Sequence, residues 1–373
     1  MKILSLSTVQ LSPYLGSGKT RLMWTQGLRE LGHEVTVLQP SDFEFLEIAK
    51  IATQIRIALG IFFKVNKILK DNHFDIVEFY GDQYWLLLLW IKKIKKIRHL
   101  IFIAHVDGIE LNDMDKAQKY YEQRKGLRKW IYVNTHRRFS NITFTLADKY
   151  VCGCKDDFNY AIENNLFSIN NAFQVSPGID DSFLQMPFQK RKEKVIFFLG
   201  SWIKRKGINV IPTVISQILI KYPDYKFHVY GAWSSKNLIL SSFSELARQN
   251  VRVFEKLDPT ELKKEIAQCA IFFSPSYSEG FGLATVEAMS CSCAVVTTKT
   301  GVGSELVDNK EALLVNFDDI PGMVDAIDKL INNENFRLET ACNGHLKAKE
   351  FQWSKQLMLL NQIYIDWFGN LKK

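Results

Sequence analysis

The 373 residues predict an α/β protein made of two doubly wound, Rossmann-like parallel-sheet domains. Three observations predict it. Apolar strand-like runs alternate with amphipathic helix-like runs, which means parallel strands with helices on both faces. The alternation breaks at a polar run, 188–193, and restarts at 195. The length suits two ordinary domains better than one. The expected division is a first domain over 1–187, a second over 188–350, and a C-terminal helix over 351–373 that packs back on the first.

Each element follows from its pattern. Residues 2–8 read as a buried strand, and 20–31 as a helix closed by Gly32. Next come a strand at 34–38, a helix at 48–70 and a strand at 75–79. A helix at 85–97 and a strand at 99–104 follow. After a Pro-Gly turn at Pro177-Gly178 and the polar run, strand 195–199 leads into helix 207–221. Strands 226–230 and 251–254, helix 259–269 and strand 271–274 continue the series. Helix 283–290, strands 294–297 and 312–315 and helix 321–333 complete it. In such sheets ligands bind at the C-terminal ends of the strands, and two facing domains make the cleft between them the natural site.

Composition narrows the function classes. With 47% hydrophobic and 24% charged residues the chain is ordinary globular protein and not a disordered one. Its 20 Gly and 9 Pro are too few for a fibrous protein. Cys152, Cys154, Cys291 and Cys293 form two C-x-C pairs, and Cys269 and Cys342 stand alone. That is neither the C-x2-C spacing of zinc sites nor a disulfide framework, so a reducing compartment is expected. The N-terminus lacks a leader-like apolar stretch. The most apolar run, 85–91, is far short of the ~20 residues that span a bilayer. A soluble, cytoplasmic protein is expected, resting at most on the inner face of the cell membrane.

The 48 basic and 40 acidic residues give a net charge of +8. Residues 92–138 hold 13 basic and 5 acidic residues, so this stretch carries the whole excess. A charge run of this kind is either a solvated helix face or a surface for an anionic partner.

Two glycine loops invite a phosphate. The first, Gly16-Ser17-Gly18-Lys19-Thr20, ends as a P-loop does, but the position that should be its first Gly is Pro13. Proline lacks an N–H, so the nest of donors is incomplete. Gly16 and Gly18 still let a backbone approach a ligand. The second loop is the strongest signal in the chain. Ser274-Pro275-Ser276-Tyr277-Ser278-Glu279-Gly280-Phe281-Gly282-Leu283 joins a strand end to a helix start. Glu279 lies in the loop, and Glu287 about one turn into the helix. Gly280 and Gly282 clear space beside the helix N-terminus, whose free N–H groups suit phosphate. Two carboxylates flanking such a terminus suit a ligand with hydroxyls on both sides of a diphosphate, which describes a nucleotide sugar.

This run, Glu279 to Met289, resembles the retaining glycosyltransferase family 4 of the GT-B fold. Other segments are similar to the same family: Phe198-Leu199-Gly200 through Lys206-Gly207, Val175 to Asp180, Thr300 to Glu305, and Ile103 to Asp107. The resemblance implies a hexosyltransferase moving sugar from a UDP- or GDP-linked donor, with retention and without a metal or other cofactor. It implies that Glu279 holds the donor sugar and Glu287 the ribose. Phe281, Gly282 and Leu283 offer backbone N–H groups, and Lys206 neutralises the departing diphosphate. Gly16 admits the donor, and His105 sits by the reacting sugar. Lys19 and Asp107 are assigned to the acceptor side. One departure stands out: the family's Arg after the glycine is Ser201 here, with Lys204 or Arg205 available to compensate. Cys291-Ser292-Cys293-Ala294 also lacks the family's usual Gly and Pro, which is helix-end variation.

Asp113-x-Asp115 reads as a solvated loop, not a metal site. Two alternatives stay open: an NTP-dependent enzyme using Gly18-Lys19-Thr20, and a catalytically silent partner protein supported by Ser201. No nucleic-acid module appears. The expected partners are a nucleotide sugar, a glycan, lipid-linked or protein acceptor, and an anionic membrane surface met through 85–138. Cell-envelope glycan or glycolipid synthesis is the expected setting.

Overall fold

The computed structural model describes residues 1–12, 16–43, 53–97, 99–120, 126–127, 130, 133–255 and 257–371. The chain forms two compact units, Met1–Pro177 with Ser354–Lys373, and Gly178–Trp353. The division falls ten residues before the one expected at 187. The polar run 188–193 belongs to the second unit, where it is tied down. Gln189 N donates to Ser292 Oγ at 3.1 Å. The Lys192 ammonium donates to the carbonyls of Cys291, at 2.6 Å, and Ala267.

The first unit holds a six-stranded parallel sheet, ordered β2-β1-β3-β4-β5-β6. The strands are β1 (Lys2–Ser7), β2 (Glu34–Leu38), β3 (Ile76–Tyr80), β4 (Ile101–Val106), β5 (Lys149–Cys152) and β6 (Ala172–Gln174). Leu4, Leu6, Val77, Phe79, Phe102 and Ala104 point from one face into an apolar core. Side chains alternate along a strand, so Ser5, Ser7, Glu78, Tyr80 and His105 share the other face. The C-terminal helix, Trp353–Leu371, belongs to this unit and buries Leu360, Ile363, Tyr364 and Trp367. Gly27 lies beneath it, where a Cβ would meet the Leu357 side chain at 2.5 Å.

The second sheet is ordered β12-β11-β10-β7-β8-β9 and is also parallel. Its strands are β7 (Glu193–Leu199), β8 (Lys226–Tyr230), β9 (Val251–Val253), β10 (Cys269–Ser274), β11 (Ala294–Thr298) and β12 (Leu313–Val315). Strand β10 is buried throughout and β7 is buried from Val195 to Phe198, as continuous apolar runs in a parallel sheet should be.

Several elements differ from the sequence reading. Helix 20–31 begins earlier, at Gly16. The helix expected at 48–70 runs from Thr53 to Asp71, and 48–52 lie outside the described residues. The helix expected at 85–97 is an α-turn, Trp85–Leu88, followed by a wider π-helical stretch, Leu89–Lys95. Lys96, in the left-handed region at φ 55°, ends it. The helix expected from 207 starts at Ile211, because Gly207 turns left-handed at φ 84° after a short 3-10 turn.

The Phe272 ring on β10 is fully buried and lies 5.0 Å from the Phe197 ring on β7. Truncation Phe272→Ala is expected to cost about 3–5 kcal/mol. The check is the denaturant midpoint of the second unit's transition.

Candidate functional site

Strands β7, β10 and β11 are neighbours and parallel, so their C-terminal loops emerge together. The loop after β7 lies directly on the loop after β10. A Cβ on Gly207 would meet Pro275 O at 2.3 Å. Two bonds fasten these loops: Tyr277 N to Arg205 O at 3.1 Å, and Arg205 Nη1 to Ser278 O at 3.1 Å. That registration puts the Lys206 ammonium on both Glu279 oxygens, at 2.7 and 2.6 Å. Ser276 Oγ donates to Glu279 Oε1 at 2.6 Å, and Arg205 Nη1 lies 3.9 Å from Oε2. The β11 loop closes from behind. Gly301, at φ 53°, leaves no room for a Cβ, which would meet Phe281 O at 2.4 Å and Glu279 Cβ at 2.8 Å. Val302 N donates to Phe281 O at 2.6 Å.

Glu279 is buried, 8% exposed, and burial alone pushes a carboxyl's pKa up. The charges of Lys206 and Arg205 and the bonds from Lys206 and Ser276 outweigh it, and the pKa ends below its usual value. An ionised carboxylate only accepts hydrogen bonds. Lys206 carries three N–H donors and Glu279 takes two. The helix Leu283–Ser290 starts beside this pair. Its N-cap is Gly282, left-handed at φ 91°, which has no side chain to cap the first N–H groups. Glu287 lies half-buried one turn on.

The structure therefore brings together Lys206, Arg205, Glu279, Phe281, Gly282 and Leu283. Phe281 contributes only backbone, since its ring is buried 5.3 Å from that of Phe351. Ser201 opens the same β7 loop and is half-buried. Of the two compensating cations, Arg205 reaches the Glu279 loop, whereas Lys204 is exposed to solvent. The sequence reading missed Ser276, although a serine three residues before Glu279 was legible. It also missed Trp233, in the turn after β8. Trp233 is 64% exposed with φ 51°, a conformation that costs an L-residue roughly 1–2 kcal/mol. Strain of this kind gathers at functional sites. The β7 loop bonds to that turn through Trp202 N and Ala232 O at 2.7 Å.

The first unit gives a different picture. Gly16 begins a helix in open space, with nothing within 4 Å of an added Cβ. Lys19 lies half-buried in its first turn. Pro13 lies outside the described residues. The Thr20 hydroxyl is buried and donates back to Gly16 O at 3.0 Å. His105 is buried, with Nε2 2.5 Å from Tyr364 Oη and 3.5 Å from Glu78 Oε2. That nitrogen is engaged inside the unit and is not free to face a sugar. Asp107 Oδ2 lies 3.9 Å from Arg21 Nε. Burial raises the Asp107 pKa, and Arg21 opposes the rise in part. Arg21 and Glu78 were unread. A carboxylate inside the apolar run 76–80 was the available signal.

Part of the basic stretch is neutralised locally. Lys92 pairs with Asp148 at 2.5 Å, Lys116 with Asp156 at 2.6 Å and Arg137 with Asp115 at 2.9 Å. Lys93, Lys95 and Lys96 are exposed beside Ile94, itself 64% exposed. Lys92, Lys93, Lys96, Ile97 and Asp148 line an open cavity of about 410 Å³. Trp90, on the same π-helical stretch, meets Phe62 edge-on at 5.7 Å, and the adjoining Phe63 is exposed. Arg98, Arg124, Lys125, Arg128 and Lys129 lie outside the described residues. Among the described residues no helix is long and apolar enough to cross a membrane.

Residues 182–347 match the model of the family described as Glycosyl transferases group 1. An uncharacterized glycosyltransferase of Methanocaldococcus jannaschii is 26% identical over 229 residues, 61% of this chain and 62% of that protein. The match thus spans about three fifths of that curated relative's length. Among solved structures, sucrose-phosphate synthase from Thermosynechococcus elongatus aligns with a TM-score of 0.78 at 15% identity, over 99% of this chain and 100% of that one. Anabaena HepE, solved with UDP, aligns with a TM-score of 0.70 at 14% identity, over 97% and 99%. At these identities the likeness shows the fold, which is GT-B.

Removing Lys206 leaves a buried, ionised carboxylate. Lys206→Ala is expected to destabilise the second unit by about 3 kcal/mol, the low end for a broken buried pair, since Arg205 and Ser276 remain. The lowered pKa also sets a sign. The stability that Glu279 contributes is full above the unfolded value near 4.5 and is lost as pH falls through the lower folded value. Glu279→Gln should flatten that acid loss, which urea titrations across the acid range measure.

Proposed function

We propose that this chain, whose residues 182–347 match the model of the group 1 glycosyltransferases, moves a hexosyl unit from a nucleotide sugar to a glycan, lipid-linked or protein acceptor, in cell-envelope glycan or glycolipid synthesis. The observation that carries the reading is the buried Lys206–Glu279 pair at the start of helix Leu283–Ser290. Glu279, held ionised, accepts from donor-sugar hydroxyls. Lys206 and Arg205, with the N–H groups of Gly282 and Leu283, neutralise the departing diphosphate, so transfer needs no metal. Phe281 adds a backbone contact, Ser201 a single hydroxyl bond, and Glu287 accepts from the ribose. Gly16 gives the donor room, and His105 stands near the reacting sugar. Asp107 and Lys19 serve the acceptor. Transfer proceeds with retention. The UDP in Anabaena HepE supports a uridine nucleotide ahead of a guanosine one.

The test is calorimetry with UDP and GDP, followed by turnover with a panel of nucleotide sugars. Binding of one nucleotide is expected, with kcat lowered about 100-fold or more by Lys206→Ala and by Glu279→Gln. No binding of either would favour a silent partner protein instead.

The exposed Lys93, Ile94, Lys95 and Lys96 give the 85–138 region both basic and apolar character, and the exposed Phe63 of helix Thr53–Asp71 adds apolar surface. That combination suits an anionic membrane or a phosphorylated lipid-linked acceptor. Vesicle flotation is expected to show binding to anionic but not neutral lipid. Equal binding to both would remove the membrane from the reading.

A further inference from the structure

We infer that Tyr364 and Glu78 are positioning residues that fix the orientation and tautomer of His105, which makes the C-terminal helix a working part of the first unit's strand ends. The inference rests on the reading that His105 stands near the reacting sugar.

The row begins in sheet register. Ser7, Tyr80 and His105 are partners across β1, β3 and β4, and Ser5 and Glu78 are partners two residues earlier. This polar ladder lies opposite the apolar core. Glu78 has no exposed surface on a central strand, where an unpartnered carboxylate costs most. Helix Trp353–Leu371 brings the partner. Tyr364, also fully buried, donates its hydroxyl to Glu78 Oε2 at 2.5 Å.

Proton bookkeeping does the rest. Burial pushes the Glu78 pKa up, but hydrogen bonds from His105, Ser5 and Tyr364, joined by the His105 charge only when that ring is protonated, bring it below the usual value. The carboxylate therefore only accepts. A phenol has one proton, and Tyr364 has given it to Glu78. Its oxygen is then an acceptor for His105 Nε2, 2.5 Å away, so Nε2 carries the hydrogen. In the neutral ring Nδ1 is left with the lone pair. The Tyr80 ring backs the imidazole at 4.5 Å, and Arg21 covers Tyr80 at 4.9 Å. Asp107, 3.9 Å from Arg21, completes the charged groups packed around the ring. The imidazole is thus held at one nitrogen and along one face.

The experiment combines spectroscopy and a mutant cycle on the full chain. Two-bond ¹⁵N correlations of labelled histidine should show His105 as the Nε2–H tautomer. Tyr364→Phe keeps the ring in the core and should lower kcat about 10-fold, with donor KM and UDP affinity unchanged. In a His105→Asn background the same change should have no further effect, because Tyr364 acts through His105. An Nδ1–H tautomer in the unmodified protein overturns the inference. So does a kcat loss that persists undiminished without His105, which marks a structural role only. If the protein neither binds a nucleotide nor turns over a nucleotide sugar, the functional reading fails, and the tautomer alone then decides the relay.

Discussion

The second unit is organised around one ammonium–carboxylate contact, Lys206 on Glu279. The two residues are 73 apart in sequence, and only the strand order makes them neighbours. β10 lies beside β7, so their loops leave the sheet side by side. The contact then dictates the backbone around it. Gly207 must be glycine for the loops to touch, and Gly301 for the third loop to close behind. Ser276 and Arg205 satisfy what Lys206 leaves over. A buried ion pair adds little net stability against an apolar replacement. Its value here is location, with both charges held beside an uncapped helix terminus.

The first unit meets the same physical problem in another way. Glu78 lies within a strand and not in a loop, so no loop can bring it a partner. A helix from the other end of the chain does so through Tyr364. The two carboxylates are both held below their usual pKa, but by different means: cations at Glu279, and a histidine with hydroxyl bonds at Glu78.

Much of this was legible in the sequence. Strands such as 226–230 and 34–38 coincide with the observed ones, because apolar residues recur there at alternate positions, Phe227 and Val229 in one and Val35 and Val37 in the other. The Glu279 loop was legible because strand, glycines and helix follow one another within a dozen residues. β5 and β6 were not, since they are four and three residues long and carry little pattern. The Lys206–Glu279 pairing was also out of reach, because nothing in a sequence states that β7 and β10 adjoin. The partner of His105, Tyr364, lies 259 residues away and was out of reach of the sequence. Burial of that kind leaves no local signature.

All six cysteines are free, and five are buried. Cys152 and Cys154 belong to the first unit, and Cys269, Cys291 and Cys293 to the second. Burial raises the thiol pKa of Cys152, Cys269 and Cys291, and pushes that of Cys293 up to about 11. Thiolate is the reactive form, so these groups resist alkylation while the fold is closed. Each unit therefore carries its own chemical clock. The rate at which each buried set becomes alkylated measures how often that unit opens, without any engineered cysteine.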